Sequence, residues 1–215
     1  MKATAVLLNW KRPDNLKKVI ESIKKQGDVE ILLWNNNPDD HEQYSVHQQH
    51  NSPENRFCWP RWLIAETAKS EYVFTLDDDL MFTEDNVIDQ CIDFIKYLPK
   101  DTILGLGGVI LNKEKDYKNS THAKKKIKTH DLKVDIVKGR FMFTRKEFIE
   151  SIPKNHYHKR GDDIYISSFS KNKILPVFLD CCFTSLPEKD VGLKKNREHI
   201  EIRQEVVNKY FKDQR

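Results

Sequence analysis

Glycine is scarce in this chain of 215 residues: there are seven, and none falls between Asn9 and Asn15, just after the first apolar run. A nucleotidyltransferase would want a glycine-rich turn there to bring backbone N–H groups against phosphate, so that class is disfavoured. Cysteine is nearly as sparse. Cys58, Cys91, Cys181 and Cys182 include no C-x-x-C pair, which argues against a structural zinc site and leaves four reduced packing residues, as in a cytosolic protein. Cys181 and Cys182, adjacent on an expected strand, should face opposite sides. No apolar stretch approaches the roughly 20 residues that span a bilayer. The opening run MKATAVLLNW is too short for a secretory leader and lacks a cleavage site, so it reads as a first strand. A dominant charge is missing too: 37 basic residues stand against 33 acidic ones, a net of +4. That is too little for a dedicated nucleic-acid binder, and no nucleic-acid partner is expected; it suits an enzyme whose substrate carries phosphate. Internal repeats and low-complexity linkers are absent. Together these absences describe one domain over residues 1–215, without a transmembrane segment and placed in the cytoplasm, a host cytoplasm if the gene is viral.

What is present is an alternation of strand and helix. Thr4 to Asn9 reads as a short buried strand. Pro13 opens a helix in which Leu16, Val19, Ile20 and Ile23 recur at helical spacing, and Gly27 closes it. Val29 to Trp34 is a second strand, followed by the turn Asn35-Asn36-Asn37-Pro38. Residues 39–58 read as an irregular loop, Pro60 to Lys69 as a helix and Tyr72 to Leu76 as a third strand. Val87, Ile88, Cys91, Ile92, Ile95 and Leu98 then line one face of a helix. This order predicts an α/β fold, a mostly parallel, Rossmann-like central sheet flanked by helices. Ligands bind such sheets beyond the carboxyl ends of the strands. Those ends are Asn9 to Arg12, Asn35 to Asn37 and Asp77 to Asp79, all polar and all expected on one edge. The second part, 99–215, reads as a smaller subregion. Its expected strands are Ile103 to Leu111, Val134 to Thr144 and Ile174 to Leu179; its helices lie near Lys146 to Ser151, Asp162 to Phe169 and Glu198 to Phe211. Lys113 to His130 is polar and lysine-rich, and its run Lys124-Lys125-Lys126 reads as a solvated loop, with a phosphate or acceptor contact as the other reading.

The chemistry concentrates at Asp77-Asp78-Asp79. Three successive carboxylates after a buried strand repel one another and gain no burial, which becomes favourable once a cation sits among them. Asp77 and Asp79 point one way and Asp78 another. Mg2+ or Mn2+ suits such oxygen ligands, and a metal bridging two phosphates stabilises a nucleoside diphosphate as it leaves a sugar. Arg12, Arg56 and Arg61 are candidate phosphate or base contacts, having the planar fork for it. The bland alternative is an Asp that merely caps the next helix. Trp10, at a strand end, is a core residue or a stacking platform for a base or sugar.

An apolar strand ending in Asp-Asp-Asp, in this layout, resembles the DXD motif of GT-A glycosyltransferases. The narrower resemblance is to the exostosin C-terminal catalytic domain and its small viral and microbial relatives. It rests on Trp34-Asn35-Asn36, Asn55-Arg56 with Arg61, Lys138-Gly139-Arg140-Phe141-Met142-Phe143, Gly161-Asp162-Asp163-Ile164, and a tail with His199, Arg203 and Asn208. It covers Thr4 to Phe211. The resemblance implies a nucleotide-sugar donor, a UDP-sugar through Asn35, and a glycan or other hydroxyl acceptor. It makes Asp79 the main metal ligand and Asp77 a metal or ribose ligand, with Asp78 supporting the donor. Residues 1–98 would be the donor half, with Asn9, Arg12, Asn35, Arg56 and Arg61 around the nucleotide, and 99–215 the acceptor half. Spacing near Arg61 and the insert Lys113 to His130 depart from that pattern.

Inversion at the sugar needs a carboxylate base beside the acceptor hydroxyl. Asp163 is the candidate, with Asp162 as its neighbour, at a helix start where the dipole favours a charged carboxylate. In a retaining enzyme the same group would hold the acceptor or the transition state, and the sequence leaves both open. His199 is a candidate further metal ligand, and His156, His158 and Arg197 are candidate phosphate contacts. Two other readings compete. A haloacid-dehalogenase-type phosphohydrolase also carries D-x-D after a strand, but Thr or Val should follow where Leu80 and Met81 stand. A non-catalytic sugar- or RNA-binding module would want an aromatic RNA-binding signature that is absent.

Overall fold

The computed structural model describes residues 1–123, 130–154, 160–187 and 197–212, with the side chain of Arg197 excepted. In chain order its elements are β1 (Ala3–Asn9), α1 (Pro13–Lys24), β2 (Val29–Asn35), β3 (Gln48–Asn51), α2 (Pro60–Ile64), β4 (Tyr72–Leu76), β5 (Leu80–Phe82) and α3 (Val87–Ile95). The second part adds β6 (Ile103–Gly105), β7 (Gly108–Ile110), β8 (Thr121–Ala123), β9 (Leu132–Lys133), β10 (Ile136–Val137), β11 (Phe141–Arg145), α4 (Lys146–Ser151), α5 (Asp162–Phe169), β12 (Lys173–Leu175), β13 (Phe183–Ser185) and α6 (Arg197–Val207). Eight strands form one sheet in the order β3-β2-β1-β4-β11-β6-β12-β9. β3, β2, β1 and β4 are mutually parallel, and β11 runs antiparallel to both β4 and β6. The expected α/β fold with a mostly parallel sheet in its first part is therefore present. The sheet also crosses residue 98, because β11, β6, β12 and β9 extend it.

Two-residue alternation places the core on both faces. Ala5 and Leu7, Ile31 and Leu33, Phe74 and Leu76, and Phe141 and Phe143 face α1 and α3, joining Leu16, Val19, Ile23, Ile88, Cys91 and Ile95. The intervening Val6, Leu32, Val73 and Met142 face the other way, onto Trp59 and Trp62 of the α2 region, Ile149 of α4 and Tyr165 and Ile166 of α5. With helices on both faces, these strands must be apolar throughout, which is why they were legible as continuous runs. A smaller third cluster of Val109, Leu111, Tyr117, Ile136, Ile164, Val206 and Val207 packs the three-stranded sheet β10-β7-β8 against α5 and α6.

Several elements differ from the sequence expectation. The loop 39–58 contains β3, whose Gln-Gln-His-Asn sequence lies on an exposed sheet edge and carries no apolar signal. The helix from Pro60 stops at Ile64 and runs through a 3-10 turn, Ala65–Thr67, after which Ala68 turns extended and is buried. Ile103 to Leu111 splits into β6 and β7 in different sheets; at Gly108 a Cβ would meet the Ile136 carbonyl oxygen at 2.6 Å, so the close approach of β7 to β10 needs glycine. Val134 to Thr144 breaks at 138–140, leaving β10 and β11. Ile174 to Leu179 is β12 only as far as Leu175; Pro176 leads into a 3-10 turn, Val177–Cys181. Cys181 is exposed and Cys182 buried, on a turn instead of a strand.

Candidate active site

The parallel register pairs Asn9 with Asn35 and Leu7 with Leu76, so β1, β2 and β4 all end at one sheet edge. The antiparallel register pairs Phe141 with Leu76, so the start of β11 lies beside the end of β4. There the Asp77 amide donates to the Arg140 carbonyl at 3.1 Å. The three expected strand ends do gather, and a fourth segment, Gly139-Arg140, joins them.

Five carboxylates and four guanidiniums interlock at this edge. Arg12 Nη1 lies 2.5 Å from Asp78 Oδ1 and 3.4 Å from Asp79 Oδ2. The backbone amide of Trp10, which is half-buried, donates to Asp78 Oδ2 at 3.3 Å. Arg140 reaches Asp79 Oδ1 through Nη2 at 3.2 Å and also donates to Ser185 Oγ at 3.0 Å. Arg61, buried, donates through Nη1 to Asp77 Oδ1 at 3.3 Å and to the Gly139 carbonyl at 2.9 Å, and its Nε lies 3.0 Å from Asp162 Oδ2. Arg203 grips Asp163 with both Nη atoms, at 2.9 and 2.8 Å.

With one carboxylate in excess, protonation is uneven. Partial burial, more than Arg61 offsets, and the neighbouring Asp79 and Asp78 raise the Asp77 carboxyl above the usual carboxylate range, its side chain being 38% exposed. Burial also raises Asp78 against the pull of Arg12, and raises Asp162 against that of Arg61. Asp163 goes the other way: burial favours its neutral form, but Arg203 and the Gly139 amide hold it below the usual carboxylate range. Its Oδ2 also accepts from Gly139 N at 3.1 Å and its Oδ1 from Ile164 N at 2.9 Å. Asp162 Oδ2 additionally accepts from the Trp62 indole N–H at 2.7 Å.

Asn9 and Asn35 belong to a buried carboxamide network. Asn9 Nδ2 donates to Asn35 Oδ1 at 2.9 Å and to Asp40 Oδ2 at 2.6 Å, and Asn35 Nδ2 donates to the Asp40 carbonyl at 2.8 Å. The Asp40 carboxylate also accepts from the Tyr44 hydroxyl at 2.6 Å. Asn9 Oδ1 is buried with no partner. Arg56 is half-exposed and paired with Glu54 at 3.1 Å, while its amide donates to Asn36 Oδ1 at 3.0 Å. His199 lies on α6 within the field of Arg203, Asp163 and Arg160, and burial and Arg203 lower it to about 4. It does not join the aspartates of the triplet: among the described residues no three His, Cys, Asp or Glu side chains converge as a ready metal-binding group. His156, His158 and Lys124 to Lys126 lie outside the described residues.

The sequence reading gave no site role to Arg140, Arg203 or Asp40. Arg140 was signalled by its place just before an apolar strand, and Asp40 by following the asparagine turn. Nothing local signals the pairing of Arg203 with Asp163, forty positions apart.

The residues present fit a hard divalent cation. Asp77 and Asp79 offer oxygen ligands at the turn, the first now held by Arg61 and the second by Arg140 and, with Asp78, by Arg12; the charge balance has room for a further positive charge, and such ions complete their shells with water and phosphate oxygens.

In fold the chain is similar to crystal structures of TarS 1-349 from S. aureus. Against the complex with UDP-GlcNAc the TM-score is 0.67 at 11% identity, covering 96% of this chain and 65% of that one. Against the UDP complex it is 0.61 at 13% identity, covering 100% and 73%, and against TarS 1-349 alone 0.62 at 13% identity with the same coverage. The chain thus spans about two thirds of the length of these TarS chains. No curated protein matches it in sequence. The narrower exostosin likeness gains no support, whereas the GT-A fold does. The family description that matches is "Glycosyl transferase family 2", over residues 4–157, well over half the length, and the chain belongs to that family.

Proposed function

We propose that the chain transfers a sugar from a nucleoside-diphosphate donor, a UDP-sugar, to a hydroxyl of a glycan acceptor, with Mn2+ or Mg2+ at Asp79 and Asp77. The observation that carries this reading is the interlocked cluster of five carboxylates and four guanidiniums at the carboxyl edge of the sheet, one carboxylate in excess. The uridine preference is supported by the TarS complexes with UDP-GlcNAc and UDP. Family membership removes the case for a phosphohydrolase of the haloacid-dehalogenase type. Among the described residues no helix is long and apolar enough to cross a membrane, and the four cysteines are free thiols, which supports a reducing, cytoplasmic setting.

When bound, the cation supplies positive charge to the departing diphosphate. Arg140, about one-third exposed beside Asp79, is the guanidinium best placed to meet the same diphosphate. Arg12 and Arg61, to which the sequence gave that task, are buried and committed to carboxylates; they hold the triplet in shape. Asn9, Asn35 and Asp40 order the loop after β2 that faces the nucleotide. Asp163, kept ionised, takes the proton of the acceptor hydroxyl once that hydroxyl replaces one of its present N–H donors. Asp162, tied to Trp62 and Arg61, supports the turn that presents it.

The test is a thermal-shift series with UDP, with and without Mn2+. Stabilisation by UDP should require the metal and vanish in Asp79→Ala. Equal shifts with and without metal would remove the basis of this reading.

A further inference from the structure

The family match ends at residue 157, before α5 and α6 begin. The side chains these helices contribute are nonetheless tied into the site. Arg203 of α6 is buried and closes a two-point fork on Asp163, and its Nη1 also donates to the Arg160 carbonyl at 3.2 Å. The guanidinium carbon also lies over the ring of Tyr117, 4.8 Å from the centroid. Tyr117 is buried in turn and tied to the same helix: its amide donates to Gln204 Oε1 at 2.7 Å. Tyr117 belongs to the polar, lysine-rich stretch Lys113 to His130. An aromatic ring, a planar cation and a carboxylate are therefore in contact in that order, ending on the group proposed as the base.

We infer that Arg203, backed by the Tyr117 ring, is a positioning residue that orients the Asp163 carboxylate and keeps it ionised for the acceptor. This rests on the glycosyltransferase reading above. The physical case is one of matched geometry. A bidentate guanidinium fixes both the position and the plane of a carboxylate, which a single ammonium does not. The aromatic face restricts the guanidinium in turn. The other groups around Asp163 do not substitute for it. Asp162 on the same helix carries like charge, Arg61 of α2 is engaged with Asp162 and Asp77, and His199 of α6 is held neutral by burial. Arg160 is engaged with Glu198 at 2.9 Å and lies over Phe57, and Cys58 is pushed up to about 12 and stays a thiol. Without Arg203, burial would act on Asp163 against only the Gly139 amide and the more distant Arg61.

The experiment compares wild type with Arg203→Lys, Arg203→Met and Tyr117→Leu. Each is assayed for UDP release from a UDP-sugar with Mn2+ across pH, and for Mn2+-dependent stabilisation by UDP. In Arg203→Met the acidic limb of the kcat profile should move up by about one pH unit, with kcat at pH 7 falling about 100-fold and donor KM nearly unchanged. Arg203→Lys keeps the charge without the fork, so its limb should stay in place while kcat falls about tenfold. Should Arg203→Met fail to fold, Tyr117→Leu decides: a lower kcat at constant donor KM supports the inference, and an unchanged kcat overturns it. An acidic limb that stays put in Arg203→Met, or loss of UDP stabilisation together with activity, also overturns it. Failure of the underlying reading would look different, because wild type itself would then show neither metal-dependent UDP stabilisation nor UDP release.

Discussion

Replacing Asp78 should damage stability, and replacing Asp79 should damage function. Asp78 and Arg12 are each 9% exposed at the side chain, 2.5 Å apart. The pair itself adds little net stability, because burial raises Asp78 more than Arg12 lowers it. Breaking it is another matter. Asp78→Asn leaves the Arg12 guanidinium buried beside a neutral amide, and losing one partner of a buried pair costs about 3–5 kcal/mol. Arg12 Nη1 still lies 3.4 Å from Asp79, so the cost belongs at the low end, about 3 kcal/mol. For a chain of this length about 1 kcal/mol moves Tm by about 2–4 °C, so Asp78→Asn should melt about 6–12 °C below wild type. Asp79→Asn frees Arg140, which is 34% exposed and can rehydrate, so it should cost only about 1 kcal/mol. Circular dichroism melts of the three proteins in metal-free buffer would show this. A Tm for Asp78→Asn within about 2 °C of wild type, or a greater loss in Asp79→Asn, would refute the reasoning.

Asp163→Asn should lower kcat for UDP release by about 10²–10⁴-fold while Mn2+-dependent UDP binding, followed by thermal shift, is kept; loss of UDP binding would place Asp163 on the donor side instead. His199 offers a pH test. Its folded value of about 4 lies below the ordinary 6.5, so the stability it lends is present above about 6.5 and is lost as pH falls toward 4, when the unfolded chain takes the proton first. After allowance for solvent screening that is about 1–2 kcal/mol, and in His199→Gln the difference between urea midpoints at pH 7 and pH 5 should shrink accordingly. An unchanged difference would mean that His199 is hydrated in the fold.

Residues 1–98 could largely be read from their sequence because their signals are local. β1, β2 and β4 are apolar on both faces, Pro13 and Pro60 mark helix starts, and three aspartates after Leu76 have no packing rationale. The rest depends on long-range pairing. β3 is polar because it is an edge, β6 and β7 look like one strand until they join different sheets, and the start of β11 reaches Asp77 only through register. Arg12 and Arg61 read as phosphate or base contacts because a sequence shows charge but not burial; in the fold both are buried against carboxylates. Arg203 gave no sign of its partner, since its meeting with Asp163 depends on how α6 packs on α5.

Since β11 runs opposite to β4, the polypeptide reaches the reactive edge at Gly139-Arg140 and then retreats along a five-residue ladder, Phe141 against Leu76 through Arg145 against Tyr72. That ladder is an anchor. The spacing of Asp77, Arg61 and the Gly139 carbonyl is thereby fixed by the pairing of β4 with β11. A change elsewhere in the chain that leaves these two strands paired can therefore leave that spacing in place.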